Sequence, residues 1–224
     1  MNTKISITAT IILMLFAVIG TAQNTLTTDK GVVINGIKWA TRNVDAPGTF
    51  TANSEDFGMF YQWNSNIGWS ATDSIISTDG STWVYNWTGN GATTWEVANN
   101  VCPAGWRVPT HVELQNLIDA GSTWLTINGV NGRLFGSGDN TIFLPAAGWR
   151  SRFGGTLRGV DKWGDYWGST ESNISDVYFL YSTNGNVAIM LKDVYRLYFT
   201  SSDNDARLFN VNRGSGYNVR CVAE

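Results

Sequence analysis

The sequence predicts an α+β fold of irregular antiparallel sheets with one or two short helices, rich in loops. Three observations carry that prediction. The clearest local signal is a capped helical start, Thr110-His111-Val112-Glu113, with Leu114, Leu117 and Ile118 following at helical spacing. From Ser122 onward, short apolar or alternating runs are separated by Gly, Asn, Asp and Ser, the pattern of short antiparallel strands. Finally, 24 Gly and 11 Trp in 224 residues imply many turns, with glycine supplying positive φ and tryptophan filling wide gaps between loops. No fixed period relates the runs, which argues against a propeller or solenoid.

Taken in order, the chain opens with Lys4, an uncharged apolar run from Ile5 to Ile19, and the small residues Gly20, Thr21 and Ala22. Residues 1–22 are therefore expected to be a secretory signal peptide, cleaved after Ala22 or Gln23. No cysteine lies there to accept a lipid. Residues 23–30 read as a short N-terminal segment and 31–224 as a single domain. Within it, Asn35-Gly36 divides two β-rich runs and predicts a two-residue hairpin turn. Phe57, Phe60, Tyr61 and Trp63 crowd one segment too closely for a one-sided surface strand, so it is expected in the core. Residues 64–92 read as a long ordered loop or short strands. Thr93 or Thr94 is expected to cap a short helix over Trp95–Val101, stopping before Pro103. Thr110–Ala120 is the amphipathic helix, ended by Gly121. The runs TWLTING, NTIFLPAAGW, VYFLYST, NVAIMLK, VYRLYFT, RLFNVN and YNVRCV are the expected strands.

The formal net charge is −3, and without the signal 14 basic residues face 18 acidic ones, a net charge of −4. The longest basic cluster is Arg150, Arg152 and Arg158, which is no basic stripe, so nucleic acid is not an expected partner. No transmembrane span is expected in the mature chain. The two cysteines, Cys102 and Cys221, are expected to pair in an exported protein, closing a loop of more than 100 residues. Two buried free thiols are the alternative.

Four segments together resemble a known family: Val33 through Asn43, Cys102-Pro103-Ala104-Gly105-Trp106-Arg107-Val108-Pro109-Thr110, Asp165 through Thr170, and Val219-Arg220-Cys221-Val222. They are similar to the Fibrobacter succinogenes major paralogous domain, a family of exported bacterial proteins, and the resemblance covers about residues 31–224. It implies a fold similar to C-type lectins and to the formylglycine-generating enzyme superfamily, used mostly as a scaffold that displays ligand contacts. Some members resemble the variable proteins of diversity-generating retroelements, with changeable C-terminal loops. Between Tyr195 and Tyr217 this chain carries Tyr198, Ser201, Ser202, Asp203, Asn204, Asp205, Asn210, Asn212 and Arg213, a set suited to adaptable recognition. The chain departs from the family pattern at Gly168, where a serine is usual, so a local loop change is expected.

Catalytic constellations are scarce. His111 is the sole histidine, so neither a His-dependent serine or cysteine hydrolase nor a His-rich zinc site can be assembled. Formylglycine-type chemistry requires a close active-site cysteine pair, and both cysteines here are expected in a structural bridge. Asp161, Asp165 and Glu171 surround Trp163, Tyr166 and Trp167, a set suited to sugar binding or, with two carboxylates, to glycoside hydrolysis. Core aromatics beside solvated turn acids are the plainer reading. Asp203, Asn204 and Asp205 offer oxygen ligands of the kind calcium takes, the one cofactor the sequence leaves open. Trp106, Arg107, Thr110 and Glu113 read as structural, with Arg107 placed to bridge loop carbonyls or a buried carboxylate. The expected function is a secreted or surface-associated, non-catalytic binding or adhesion module. Its partner would be an unknown protein or glycan, and its location the extracellular space, the cell surface or the periplasm. The alternatives are an extracellular carbohydrate-active enzyme and a structural subunit of a surface fibre.

Overall fold

Asn35 and Gly36 take φ of 48° and 80°, as a type I′ turn requires. The chain folds back there as expected, with β1 (Val32–Ile34) antiparallel to β2 (Ile37–Trp39) and Val32 opposite Trp39. The computed structural model describes residues 26–224 apart from 86, 183 and 184, and side chains apart from those of 175–191. The expected signal peptide lies outside the described residues.

Next to this hairpin lies the end of the chain. β15 (Val222–Ala223) sits between β2 and β5 (Trp106–Arg107), giving a four-stranded sheet in the order β1-β2-β15-β5. The expected Cys102–Cys221 disulfide is present here, with Cα atoms 6.1 Å apart and 119 residues between them in sequence. Ala40 N donates to Cys221 O at 2.9 Å and Val44 N to Val219 O at 3.1 Å, so the C-terminal segment is bonded along the opening one as well as cross-linked.

Among the described residues there are three further sheets, and the ladders between named strands are antiparallel. β3 (Phe60–Gln62), β4 (Gly68–Trp69), β9 (Trp149–Arg150), β10 (Leu157–Arg158) and β14 (Gly216–Tyr217) run in the order β10-β9-β14-β3-β4. β6 (Ser122–Ile127), β7 (Val130–Ser137) and β8 (Asn140–Pro145) form a meander. β11 (Trp163–Ser182), β12 (Gly185–Thr200) and β13 (Arg207–Val211) form the last sheet. NVAIMLK and VYRLYFT, expected as separate strands, are joined in β12. The polar run from Glu171 to Asp176, outside the expected strands, lies inside β11. Register shifts between Trp167 and Glu171 and between Glu171 and Ser175 absorb the irregularity that a loop would otherwise take up.

The helix α1 (His111–Asp119) has the expected reciprocal cap. Thr110 Oγ1 accepts from Glu113 N at 3.3 Å and Glu113 Oε2 accepts from Thr110 N at 2.7 Å. Leu114 and Leu117 are buried, and Gly121 takes φ 79° just past the end. Arg107 finds its carboxylate here, donating to both Glu113 oxygens at 2.8 and 2.6 Å. The short helix expected over Trp95–Val101 contracts to one 3-10 turn, Val97–Asn99. Glu96 before it and Asn100 after it take extended ψ of 144° and 119°, and Trp95 N and Glu96 N donate to Ser169 O at 2.9 Å and Asn64 Oδ1 at 2.8 Å. Thr94 pairs with Thr170 instead of capping. Among the described residues, no helix is long and apolar enough to cross a membrane.

One aromatic cluster, with Trp63, Trp167 and Tyr217, surrounds the disulfide, and a second packs Trp39, Tyr166 and Phe199 against α1. Among these apolar groups lie four buried arginines, Arg133, Arg150, Arg213 and Arg220. Arg220 donates to Asn43 Oδ1 at 3.0 and 2.8 Å, to Ala40 O at 3.2 Å and to Phe143 O at 2.9 Å.

Three stability predictions follow from these contacts. Replacing both cysteines by serine should cost up to about 5 kcal/mol in urea unfolding, with reductant lowering the wild-type chain to the same midpoint. Asn43→Ala removes the acceptor shared by two Arg220 nitrogens and should cost about 2–3 kcal/mol in the same measurement. Burial acts to raise the Glu113 pKa, but hydrogen bonds from Arg107 and Thr110 and the Arg107 charge outweigh it, so the folded value lies below the unfolded 4.5. The stability it adds is therefore complete above the unfolded value and is lost as pH falls through the lowered folded one. Glu113→Gln should remove that acid-side decline, as read from unfolding midpoints across the acid range.

Candidate functional site

Where β9, β11, β12, β13 and β14 converge, an open basin of about 510 Å³ forms. β9 contributes Trp149 and the turn after it Ser151, Arg152 and Phe153. Trp163 comes from the start of β11, and Asp193, Arg196 and Tyr198 from β12. Asn210, Val211, Asn212, Ser215 and Tyr217 complete the wall and floor.

Local sequence fixes each aromatic. Gly159 has φ 69°, and a Cβ there would stand 2.7 Å from the Trp163 ring, so only glycine lets that ring lie on the turn. Trp163 N closes the same turn by donating to Gly159 O at 2.9 Å. The Trp149 and Trp163 rings are nearly parallel, 11° apart with centroids at 6.5 Å, and Trp163 remains 37% exposed. Phe153 projects at 56% exposure from a turn held by Ser151, whose Oγ accepts from Phe153 N at 3.2 Å. Arg152 lies over the Phe153 ring at 4.5 Å and makes no ion pair among the described residues.

The floor is Tyr217, backed by Trp167 at 4.4 Å. Arg196 and Tyr198, two apart on β12, share one face. The Arg196 guanidinium lies 4.7 Å from the Tyr198 ring and 5.0 Å from that of Tyr217. Its ion-pair partner is Asp165, fully buried behind the wall. Burial raises the phenol pKa of both Tyr198 and Tyr217, so each keeps its proton at neutral pH. Asn212 Oδ1 accepts from Gly214 N at 2.7 Å, which orients the rest of its amide.

Of the residues expected to contact ligand, the structure brings Trp163, Tyr198, Asn210 and Asn212 to the basin. Asp165, Tyr166 and Arg213 are interior instead. Asp165 pairs with Arg196. The Tyr166 hydroxyl donates to Pro145 O at 2.7 Å, with its pKa pushed far up by burial. Arg213 donates to Lys192 O at 3.0 Å and to Glu171 at 3.2 Å. Polar residues in a turn-rich stretch read as exposed, yet these satisfy backbone and charge from distant segments. Asp161 is an exposed turn residue with φ 61°. Ser201, Asp203, Asn204 and Asp205 form the β12–β13 turn, outside the lining, with Asp203 carboxylate 3.7 Å from Arg207. Among the described residues, no three acidic, histidine or cysteine side chains cluster as a metal site.

The three carboxylates considered for hydrolysis do not meet, since Asp165 faces Arg196, Asp161 is on its turn, and Glu171 pairs with Lys192 at 3.1 Å and Arg213. Asp193 is the one carboxylate among the described lining residues. Trp149, Arg152, Phe153, Arg196 and Tyr217 were not singled out from sequence. An exposed Arg-Phe pair between glycines in GWRSRFGG was the available signal for two of them. A second hollow of about 390 Å³, lined by Trp95, Val97, Asn100, Arg107 and Glu224 among others, has no exposed aromatic platform. Comparison of the chain with family models, curated proteins and solved structures finds no match.

Proposed function

We propose that this chain is an exported, non-catalytic binding or adhesion module. It would display its ligand contacts around the aromatic basin of a C-type-lectin-like scaffold of the Fibrobacter succinogenes major paralogous type. The observation that carries the reading is the basin itself: an open hollow of about 510 Å³ with Trp149, Trp163, Phe153, Tyr198 and Tyr217 in its lining. Hollows of a few hundred Å³ that combine aromatic surface with fixed polar groups are the usual form of a small-ligand site, and this lining sets its aromatics among Arg152, Asp193, Asn210 and Asn212. Two of its aromatics are left substantially exposed, although burying them against the protein would be favourable. One carboxylate among the described lining residues, Asp193, favours binding over two-carboxylate hydrolysis. The disulfide supports an oxidising compartment and hence export.

The chain, immobilised and screened against extracellular glycans and proteins, should retain at least one ligand, and Trp163→Ala should weaken that interaction about tenfold or more. The variant should stay folded by circular dichroism, with an unfolding midpoint lowered by the lost packing of the ring on the Gly159 turn. Hydrolytic turnover of a glycoside that disappears in Asp193→Asn would overturn the proposal, as would binding indifferent to both Trp163→Ala and Phe153→Ala.

A further inference from the structure

The chemistry of the lining narrows the ligand class, on the premise that the basin is the binding site. We infer that it receives a saccharide ring, stacked on Trp163 with its hydroxyls directed to Asn212 and Arg152. A pyranose has an apolar C–H face and a rim of hydroxyls that both donate and accept. The basin has the complementary division. Trp163, 37% exposed and lying on the Gly159 turn, presents ring surface that cannot be withdrawn into the core. Phe153 and Tyr198 extend that apolar surface.

Among the polar groups of the lining, Asn212 and Arg152 have donors free for a ligand. Asn212 is only 7% exposed, and its Oδ1 is committed to Gly214 N at 2.7 Å. Its amide NH₂ donates to no protein acceptor among the described residues, so the donor is held in one orientation by a bond that does not use it. Arg152, spread over Phe153, has no acidic partner among the described residues. A purely apolar ligand would desolvate both donors without replacing their water. A sugar hydroxyl answers either one while the ring covers the tryptophan. With Arg196 already neutralised by Asp165, and Asp193 opposite Arg152 in sign, the lining has no dominant charge to demand an ionic ligand. The volume suits one or two sugar rings.

The test is titration of the purified chain with maltohexaose, cellohexaose, laminarihexaose, chitohexaose and polygalacturonate, followed by calorimetry and by tryptophan fluorescence. At least one should bind, with a fluorescence change. Trp163→Ala should weaken that binding about tenfold or more, and Trp163→Phe should recover most of it. Asn212→Asp keeps the acceptor for Gly214 N and removes the donor, so it should weaken binding by a similar factor while circular dichroism shows the chain still folded. Val97→Asp, in the hollow beside Trp95, should leave binding as it was. No binding to any of the five saccharides overturns the inference, and so does saccharide binding that survives both Trp163→Ala and Asn212→Asp. A protein or peptide ligand lost in Trp163→Ala overturns the saccharide and leaves the binding function standing. A chain that binds neither class through the basin overturns both.

Discussion

Buried guanidinium groups hold this loop-rich chain together. Irregular backbone turns few of its carbonyls toward a ladder, and a buried carbonyl without a donor is costly. One guanidinium carries five donors in a rigid plane and can serve several carbonyls at once. Arg150 does so for Ser70, Thr72, Ser74 and Gly155, gathering an otherwise irregular segment onto β9. Arg213 ties Ala92 and Lys192 together and lies over the Trp63 ring at 4.6 Å. Arg133 reaches Ser122 Oγ at 2.8 Å and the Asp203 carbonyl, fastening the β12–β13 turn. The cost is visible at Arg220, whose pKa burial lowers to about 10, which still leaves it charged at neutral pH. Its neighbours are dipoles, with Asn43 placed so that one side-chain oxygen faces two of its nitrogens.

The basin inherits its shape from this frame. Asn218, next to Tyr217, donates to Phe57 O at 2.9 Å and Met59 O at 3.0 Å, and three residues later Cys221 is cross-linked to Cys102. Tyr217 therefore stands on backbone fixed on its C-terminal side, and on the other side Gly216 pairs with Gln62 and Arg150. Arg196 is held in the wall by a carboxylate that no solvent reaches, so its stacking on Tyr198 and Tyr217 is set before any ligand arrives. Preorganisation of this kind lowers the ordering cost of binding.

What the sequence made legible was local. The hairpin at Asn35-Gly36, the capping box at Thr110 and Glu113 and the helix stop at Gly121 are each specified within a few residues, and each is present. The disulfide was readable because only two cysteines exist to pair. Arg213 and Asp165 were misplaced because their partners are distant: Arg213 reaches 121 residues back to Ala92 and Asp165 pairs across a strand ladder. No window on the sequence contains both halves of such a contact. The basin was half legible for the same reason. Trp163, Tyr198 and Asn212 stood out as aromatic or amide residues in turn-rich segments, whereas Trp149 and Tyr217 become lining only when β9 and β14 pair at Arg150 and Gly216.

This division of partners also separates the residues that can vary from those that cannot. Phe153 touches the rest of the protein through Arg152 and Tyr85, at 4.5 and 5.7 Å, and is otherwise exposed. Replacing it changes the rim and little beneath it. Asp165 presents the opposite case: without it, a mostly buried Arg196 would lose its counter-charge, and a buried cation left unpaired is strongly destabilising. Tyr217 lies between these, with one side against Trp167 in the core and another open to the basin. On the proposed binding function, ligand preference would shift through Phe153, Trp163 and Tyr198 while Asp165, Arg196 and Tyr217 keep the hollow open beneath them.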